Sequence, residues 1–214
     1  MFKSILTYSN LRKCEAIIRL SSKIFFYRKV KNRKQEFFMY NIYRNKEGIF
    51  MERVAVAFTG PSGSGKTTLV EKIAKILIQK REVAIIKHDP KDKAIFDKEG
   101  KDSYRFSQIG AEVVVASSTR TTYFSKRQKE LHEIIQMFNS FDILLVEGLK
   151  TLPLPRIAIF RNHIDEDYLF CSEAIAIDDT IDINQYVLPD TLDILDLNNT
   201  AQIIEWIDNN AKSV

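Results

Sequence analysis

The apolar run Val54-Ala55-Val56-Ala57-Phe58 leads almost directly into Gly60-Pro61-Ser62-Gly63-Ser64-Gly65-Lys66-Thr67, after which Leu69, Ile73, Ile76 and Leu77 recur at helical spacing. No other stretch restricts the fold as tightly. A short β-branched run of this kind reads as a buried parallel strand. The eight residues after Thr59 match G-x-x-x-x-G-K-[ST], the phosphate-binding P-loop. Its glycines let the backbone wrap a phosphate and turn consecutive N–H groups inward, where a Cβ would obstruct. Lys66 carries the positive charge for the β and γ phosphates, the Thr67 hydroxyl is a ligand for Mg²⁺, and Thr68 is placed for the α phosphate. The apolar stripe predicts a helix opening at the loop, so that its N-terminal dipole adds to anion binding.

Such a site needs an acidic residue at the end of a neighbouring strand. Phe141-Asp142-Ile143-Leu144-Leu145-Val146-Glu147-Gly148 supplies one to hold the Mg²⁺ shell or orient water: four apolar residues form a buried strand and Glu147 emerges at its carboxyl end, where ligands bind in open α/β sheets. Asp142, at the other end, reads as a solvated carboxylate. A further strand, Val83-Ala84-Ile85-Ile86-Lys87, delivers His88 and Asp89 to the same edge, with His88 open between a ligand role and a structural one. The charged loop behind it continues to Asp102-Ser103, which reads as a cap for a helix from Tyr104 to about Ile109. Residues 111–117 read as another buried strand, and residues 157–160 as one more. The expected architecture is a three-layer α/β P-loop NTPase fold, a mostly parallel sheet with helices on both faces and right-handed crossovers.

At 214 residues, 45% of them hydrophobic, the chain can bury a full core, and no run approaches the roughly 18 apolar residues of a membrane span. Cys14 and Cys171 stand far apart without a CxxC or Cys/His cluster, which points to neither a disulfide framework nor zinc and fits a reducing cytoplasm. The net charge of +4 conceals two regions: residues 1–50 hold 12 basic and three acidic side chains, and residues 51–214 hold 20 and 25. Charge with interleaved aromatics (Phe25, Phe26, Tyr27, Phe37, Phe38, Tyr40) is also the footprint of a nucleic-acid arm. The favoured expectation is that Met51 is the authentic start. Lys46-Glu47-Gly48 is necessarily encoded by a purine-rich run resembling a ribosome-binding site, with Ile49 and Phe50 as spacer. Residues 1–50 are then an upstream or disordered basic extension and residues 51–214 a P-loop GTP-binding domain.

Three blocks together resemble the molybdopterin-guanine dinucleotide biosynthesis protein B (MobB) family over residues 53 to about 210. They are Gly60 to Thr68; Lys87-His88 followed by Asp97-Lys98-Glu99-Gly100-Lys101-Asp102-Ser103-Tyr104 and Gly110-Ala111; and Leu145-Val146-Glu147-Gly148-Leu149-Lys150. The first block is shared by many NTPases, and the second discriminates. The resemblance implies a dimeric cytoplasmic GTP-binding protein with weak GTPase activity, which assists a molybdopterin guanylyltransferase partner in joining GMP to molybdopterin. On it Lys66 and Glu147 are catalytic, Thr67 and Glu147 hold Mg²⁺, and Lys101 and Asp102 border the nucleotide. The chain departs from the family where Asp89-Pro90-Lys91 stands in place of further histidines, and in the connection at residues 149–156.

Guanine selection is not written as N-K-x-D. Asp178 and Asp179, after the strand Ala174-Ile175-Ala176-Ile177, stand where a carboxylate can accept two N–H donors from guanine, although a solvated turn reads equally well. A final helix is expected, capped by Thr200, with Ile203, Ile204 and Ile207 covering the sheet. Two rivals remain. One is a P-loop small-molecule kinase using Arg105, Arg120 or Arg127 on the transferred phosphoryl group. The other, weaker, is a nucleic-acid-binding protein working through its basic arm.

Overall fold

The computed structural model describes residues 53–214 throughout; ahead of them it assigns only the backbone of short strands between residues 16 and 52. The expectation for residues 1–50 lies outside the described residues. The chain divides into two compact units, one running to His88 and resuming at Ser140, the other spanning Asp89–Asn139.

In the first unit we number β1 Val54–Thr59, α1 Lys66–Leu77 and β2 Val83–Lys87. After the second unit follow β5 Ile143–Glu147, β6 Arg156–Ile159, β7 Ala174–Ile177, β8 Asp193–Asp196, α4 Thr200–Asn210 and β9 Lys212–Ser213. The sheet order is β2-β5-β1-β6-β7-β8, parallel throughout, with β9 added antiparallel at the start of β1. The chain leaves β1 toward β2 and β5 on one side, then builds β6, β7 and β8 on the other. The carboxyl end of β1 is thus a topological switch point, where open α/β sheets bind ligands.

The main core lies on one face. Leu69, Val70, Ile73 and Leu77 of α1 and Ile203, Trp206 and Ile207 of α4 pack over Val56, Phe58, Ile143, Leu145, Ile157 and Ile159. Ile76, expected on this face, is 51% exposed, and Val70 takes its place. At about 100° per residue Ile76 points roughly 75° from the mean direction of the buried four, beyond the stripe that meets the sheet. On the opposite face Ala158, Phe160, Ile164, Ile175 and Ile181 form a second cluster with Tyr168 and Leu169 of the short 3₁₀ helix Glu166–Cys171.

Two readings of polar residues change. Asp142 is buried rather than solvated, and its carboxylate accepts from the backbone N–H of Glu82 at 2.6 Å, joining the start of β5 to the residue before β2. The cap of α4 is Asn199, one residue earlier than expected, with its side chain accepting from the N–H of Gln202.

The second unit holds α2 Asp102–Gln108, a two-stranded antiparallel hairpin of β3 Val113–Ala116 and β4 Thr121–Phe124, and α3 Leu131–Gln136. The apolar run in residues 111–117 is therefore not a buried strand of the main sheet. A Ser117-to-Arg120 turn lets it pair locally, and Val114 and Val115 are exposed. Asp102 begins α2 rather than capping it. Lys101 takes the cap position, and the Ser103 hydroxyl donates to Asp97 at 2.9 Å.

Candidate functional site

The site grows from the end of β1. Gly60 leaves the strand with φ 135°, and a Cβ there would lie 2.4 Å from the Ile159 carbonyl oxygen, so only glycine lets the loop turn against β6. The loop ends at Gly65, which is also the N-cap of α1, and the first turn of that helix carries no acidic residue to oppose an anion. Buried Ser64 directs an Oγ without a hydrogen-bond partner into the loop. Lys66 folds back over it, donating to the carbonyls of Pro61 at 2.7 Å and Gly60 at 3.0 Å. Burial lowers the Lys66 pKa, Glu147 opposes that shift and Lys87 adds to it.

Parallel pairing sets Glu147 of β5 between Phe58 of β1 and Lys87 of β2. Its carboxylate thereby reaches the loop. The Thr67 hydroxyl lies 3.1 Å from each carboxylate oxygen, and Lys87 Nζ is 3.0 Å from Oε1. A hydroxyl and a carboxylate converging at the N-terminus of α1, where the glycine-rich loop ends, are oxygen donors of the kind a hard divalent ion takes. With the unpartnered Ser64 hydroxyl, this donor set fits a phosphate group and its metal. After Glu147, Gly148 turns away with φ 94°, and a Cβ on it would come within 2.8 Å of the His88 Cβ. His88 thus packs where only glycine leaves room, and its N–H donates to the Glu147 carbonyl. Arg156, with no exposed surface, donates to the carbonyls of Gly148, Leu149 and Leu152 and so secures the turn that follows Glu147.

Farther along the same edge, Asp178 and Asp179 emerge from β7. Asp178 is buried and already engaged: its Oδ1 accepts from the N–H and hydroxyl of Thr180, and its Oδ2 lies 3.4 Å from Arg161 Nη1. The Thr180 hydroxyl above all, with Arg161 adding, holds its carboxyl below the usual range. Asp179 is exposed, and both line a cavity of about 510 Å³ with Asp196, Asn198 and Gln202. Arg161 was not singled out in the sequence. It follows Phe160 at the carboxyl end of β6, and its Nε would be 3.5 Å from a Cβ on Gly65, beside the N-cap of α1. Two residues beyond an apolar strand, a lone arginine gives no sequence signal. Only the pairing of β6 with β1 brings it to the loop.

The structure therefore joins Gly60, Pro61, Ser62, Gly63, Ser64, Gly65, Lys66, Thr67, Thr68, His88, Glu147, Asp178 and Asp179 along one sheet edge. Lys101 and Asp102 belong to the second unit, where Asp102 lies 3.9 Å from Arg105; their place beside a nucleotide rests on the resemblance. Arg127 faces Glu112, and Arg120 closes the hairpin turn with Ser117.

A parallel sheet with a glycine-rich loop at its switch point, a lysine and threonine opening the next helix, and a strand-end glutamate on that threonine define a P-loop nucleotide-binding protein. Residues 55–179 match the family model of MobB, molybdopterin guanine dinucleotide synthesis protein B. The chain is 34% identical over 160 residues to the molybdopterin-guanine dinucleotide biosynthesis adapter protein of Haemophilus influenzae, covering 72% of this chain and 87% of that protein. It is 32% identical to the Escherichia coli adapter protein, with 71% and 92% covered. Among solved structures, Bacillus subtilis MobB has the same fold, with a TM-score of 0.59 at 23% identity, covering 74% of this chain and 98% of that one. The chain belongs to the MobB family. Among the described residues, no helix is long and apolar enough to cross a membrane.

Proposed function

We propose that this chain binds GTP with Mg²⁺ in the Gly60–Thr67 loop, hydrolyses it slowly, and assists a molybdopterin guanylyltransferase in joining GMP to molybdopterin. The observation that carries the reading is the approach of Thr67 to both carboxylate oxygens of Glu147, at the N-terminus of α1 and beside Lys66. Phosphoryl chemistry asks a protein chiefly for positioning and charge, and these residues provide both. Lys66 leaves its carbonyl partners for the β and γ phosphates, the loop N–H groups and Ser64 hold the phosphate oxygens, and Thr67 and Glu147 hold the metal. A divalent ion held by Thr67 and Glu147 would supply positive charge against the charge that develops on the phosphoryl oxygens. Low turnover agrees with an adapter, whose nucleotide state serves a partner; the curated relatives carry the name adapter protein.

For the base, Asp179 is the better acceptor, because it is exposed whereas Asp178 is occupied by Thr180 and Arg161. Arg161, held by Asp178 beside Gly65, is then a further cation for the phosphate or ribose of the same nucleotide. The protein works as a cytoplasmic homodimer, with residues 51–214 sufficient for nucleotide binding. The test compares GTP and ATP affinity on the protein begun at Met51, with and without a molybdopterin guanylyltransferase. GTP is expected to bind at least about tenfold more tightly, a difference of about 1.4 kcal/mol, and to stimulate the transferase. Equal affinities together with an unaffected transferase would remove the reading.

A further inference from the structure

Lys87 ends the edge strand β2, in register with Glu147 of β5. Its side chain is 59% exposed, against 12% for Glu147, yet its ammonium lies over the site, 3.0 Å from Glu147 Oε1. A lysine this exposed has rotamers in open water and gives up side-chain entropy to hold one geometry. The largely buried carboxylate accounts for its position, attracting it against the repulsion of Lys66, whose basicity Lys87 depresses. Glu147 is thus shared between a hydroxyl that belongs to the metal site and an ammonium that does not.

Because its lysine end is 59% exposed, the pair is screened by water and salt and the ammonium is readily exchanged. A divalent ion seated on Thr67 and Glu147 supplies a stronger positive charge to the same carboxylate, which releases the lysine. Lys66 reaches the β and γ phosphates. Lys87, on a flexible four-carbon stem, holds its ammonium 3.0 Å from the same Glu147 carboxylate that lies 3.1 Å from the hydroxyl of Thr67, the residue after Lys66, which puts the terminal phosphate within its reach. A diphosphate offers no such group. We infer that Lys87 is a triphosphate-sensing residue. Without metal and terminal phosphate it neutralises Glu147, and with both it transfers to the γ phosphate, so that its position reports which nucleotide is bound. This rests on the GTP·Mg²⁺ reading of the loop. It makes the strand-end Lys-His pair part of the phosphate site through its lysine.

The experiment uses the full chain with Lys87→Met and Lys87→Arg. Affinities for GDP and a non-hydrolysable GTP analogue are measured by calorimetry in Mg²⁺, and Mn²⁺ binding to the GDP complex is followed by electron paramagnetic resonance. Lys87→Met is expected to lower the preference for triphosphate over diphosphate about five- to tenfold, the size of one charge-assisted phosphate contact. It is also expected to tighten Mn²⁺ binding to the GDP complex by about two- to fivefold, because a cation competing for the Glu147 carboxylate from its solvent side is gone. Lys87→Arg should stay within about twofold of the parent in both respects, since it keeps the positive charge. An unchanged triphosphate preference in Lys87→Met, or unchanged Mn²⁺ affinity, would overturn the inference. Absence of nucleotide-dependent Mn²⁺ binding in the unsubstituted protein would instead overturn the GTP·Mg²⁺ reading, and Lys87's role with it.

Discussion

Arg156 and Asp178 show how single residues far from the P-loop motif govern the site. Arg156 is a fully buried cation whose described side-chain hydrogen bonds go to the carbonyls of Gly148, Leu149 and Leu152. Burial pulls its pKa down, with Glu173 opposing among the lesser influences. Arg156→Met would strand those carbonyls. A loss of about 3 kcal/mol or more is expected, read as a lower denaturant midpoint with an unchanged slope. Asp178 has a different signature. Because its folded-state pKa is depressed, its contribution is fully present above the unfolded value near about pH 4 and is lost as pH falls through the folded value. The stability gap between the parent protein and Asp178→Asn should therefore be widest near neutrality and shrink as the pH is taken below about 4. Urea unfolding of both proteins across that range tests it, and a gap that widens on acidification would contradict the assignment.

At the scale of the element, α1 and α4 do related work by different means. α1 starts at a glycine in the left-handed region with no side-chain cap, which leaves its first N–H groups and its dipole for a ligand. α4 is closed by Asn199, and its Trp206 donates to Asp193 of β8 at 2.7 Å, tying the helix to the edge strand. Asn199→Ala is accordingly expected to cost about 1 kcal/mol without changing nucleotide affinity, as thermal unfolding and calorimetry would register. A cap offered to α1 should have the opposite effect. It would occupy the groups on which the phosphates depend.

For the whole molecule the consequence is linkage between nucleotide and fold. The loop draws on β1, α1, β5 and β6 together, so a ligand held there is bound by the folded state alone. GTP with Mg²⁺ at about 100 times its dissociation constant should add about 2.7 kcal/mol, raising the Tm by about 5 to 10 °C for a chain of this length. Chelation with EDTA in the presence of GTP should remove most of that increment. A Tm indifferent to both would detach the loop from nucleotide binding.

The sequence by itself determined the strand, loop and helix at Val54–Leu77, the strands around Val83, Leu145 and Ile175, and the family. Each rests on local pattern, a glycine spacing or an apolar period that a short window contains. It also pointed to Glu147, because a carboxylate at the end of a buried strand is conspicuous in one dimension. The tertiary structure alone decided what those residues meet. Thr67 and Glu147 are 80 positions apart and come together through the pairing of β5 with β1. Arg161 reaches Gly65 because β6 pairs with the opposite edge of β1. Asp142, legible as a solvated end, became a buried clamp once β2 paired beside it. The run at residues 111–117 had the composition of a core strand, yet a turn starting at its last residue, Ser117, offered an antiparallel partner, and local pairing prevailed over the main sheet. Composition and spacing report what a segment can bury or bond. Which partner it takes depends on strand order, which arises only when the whole chain is packed.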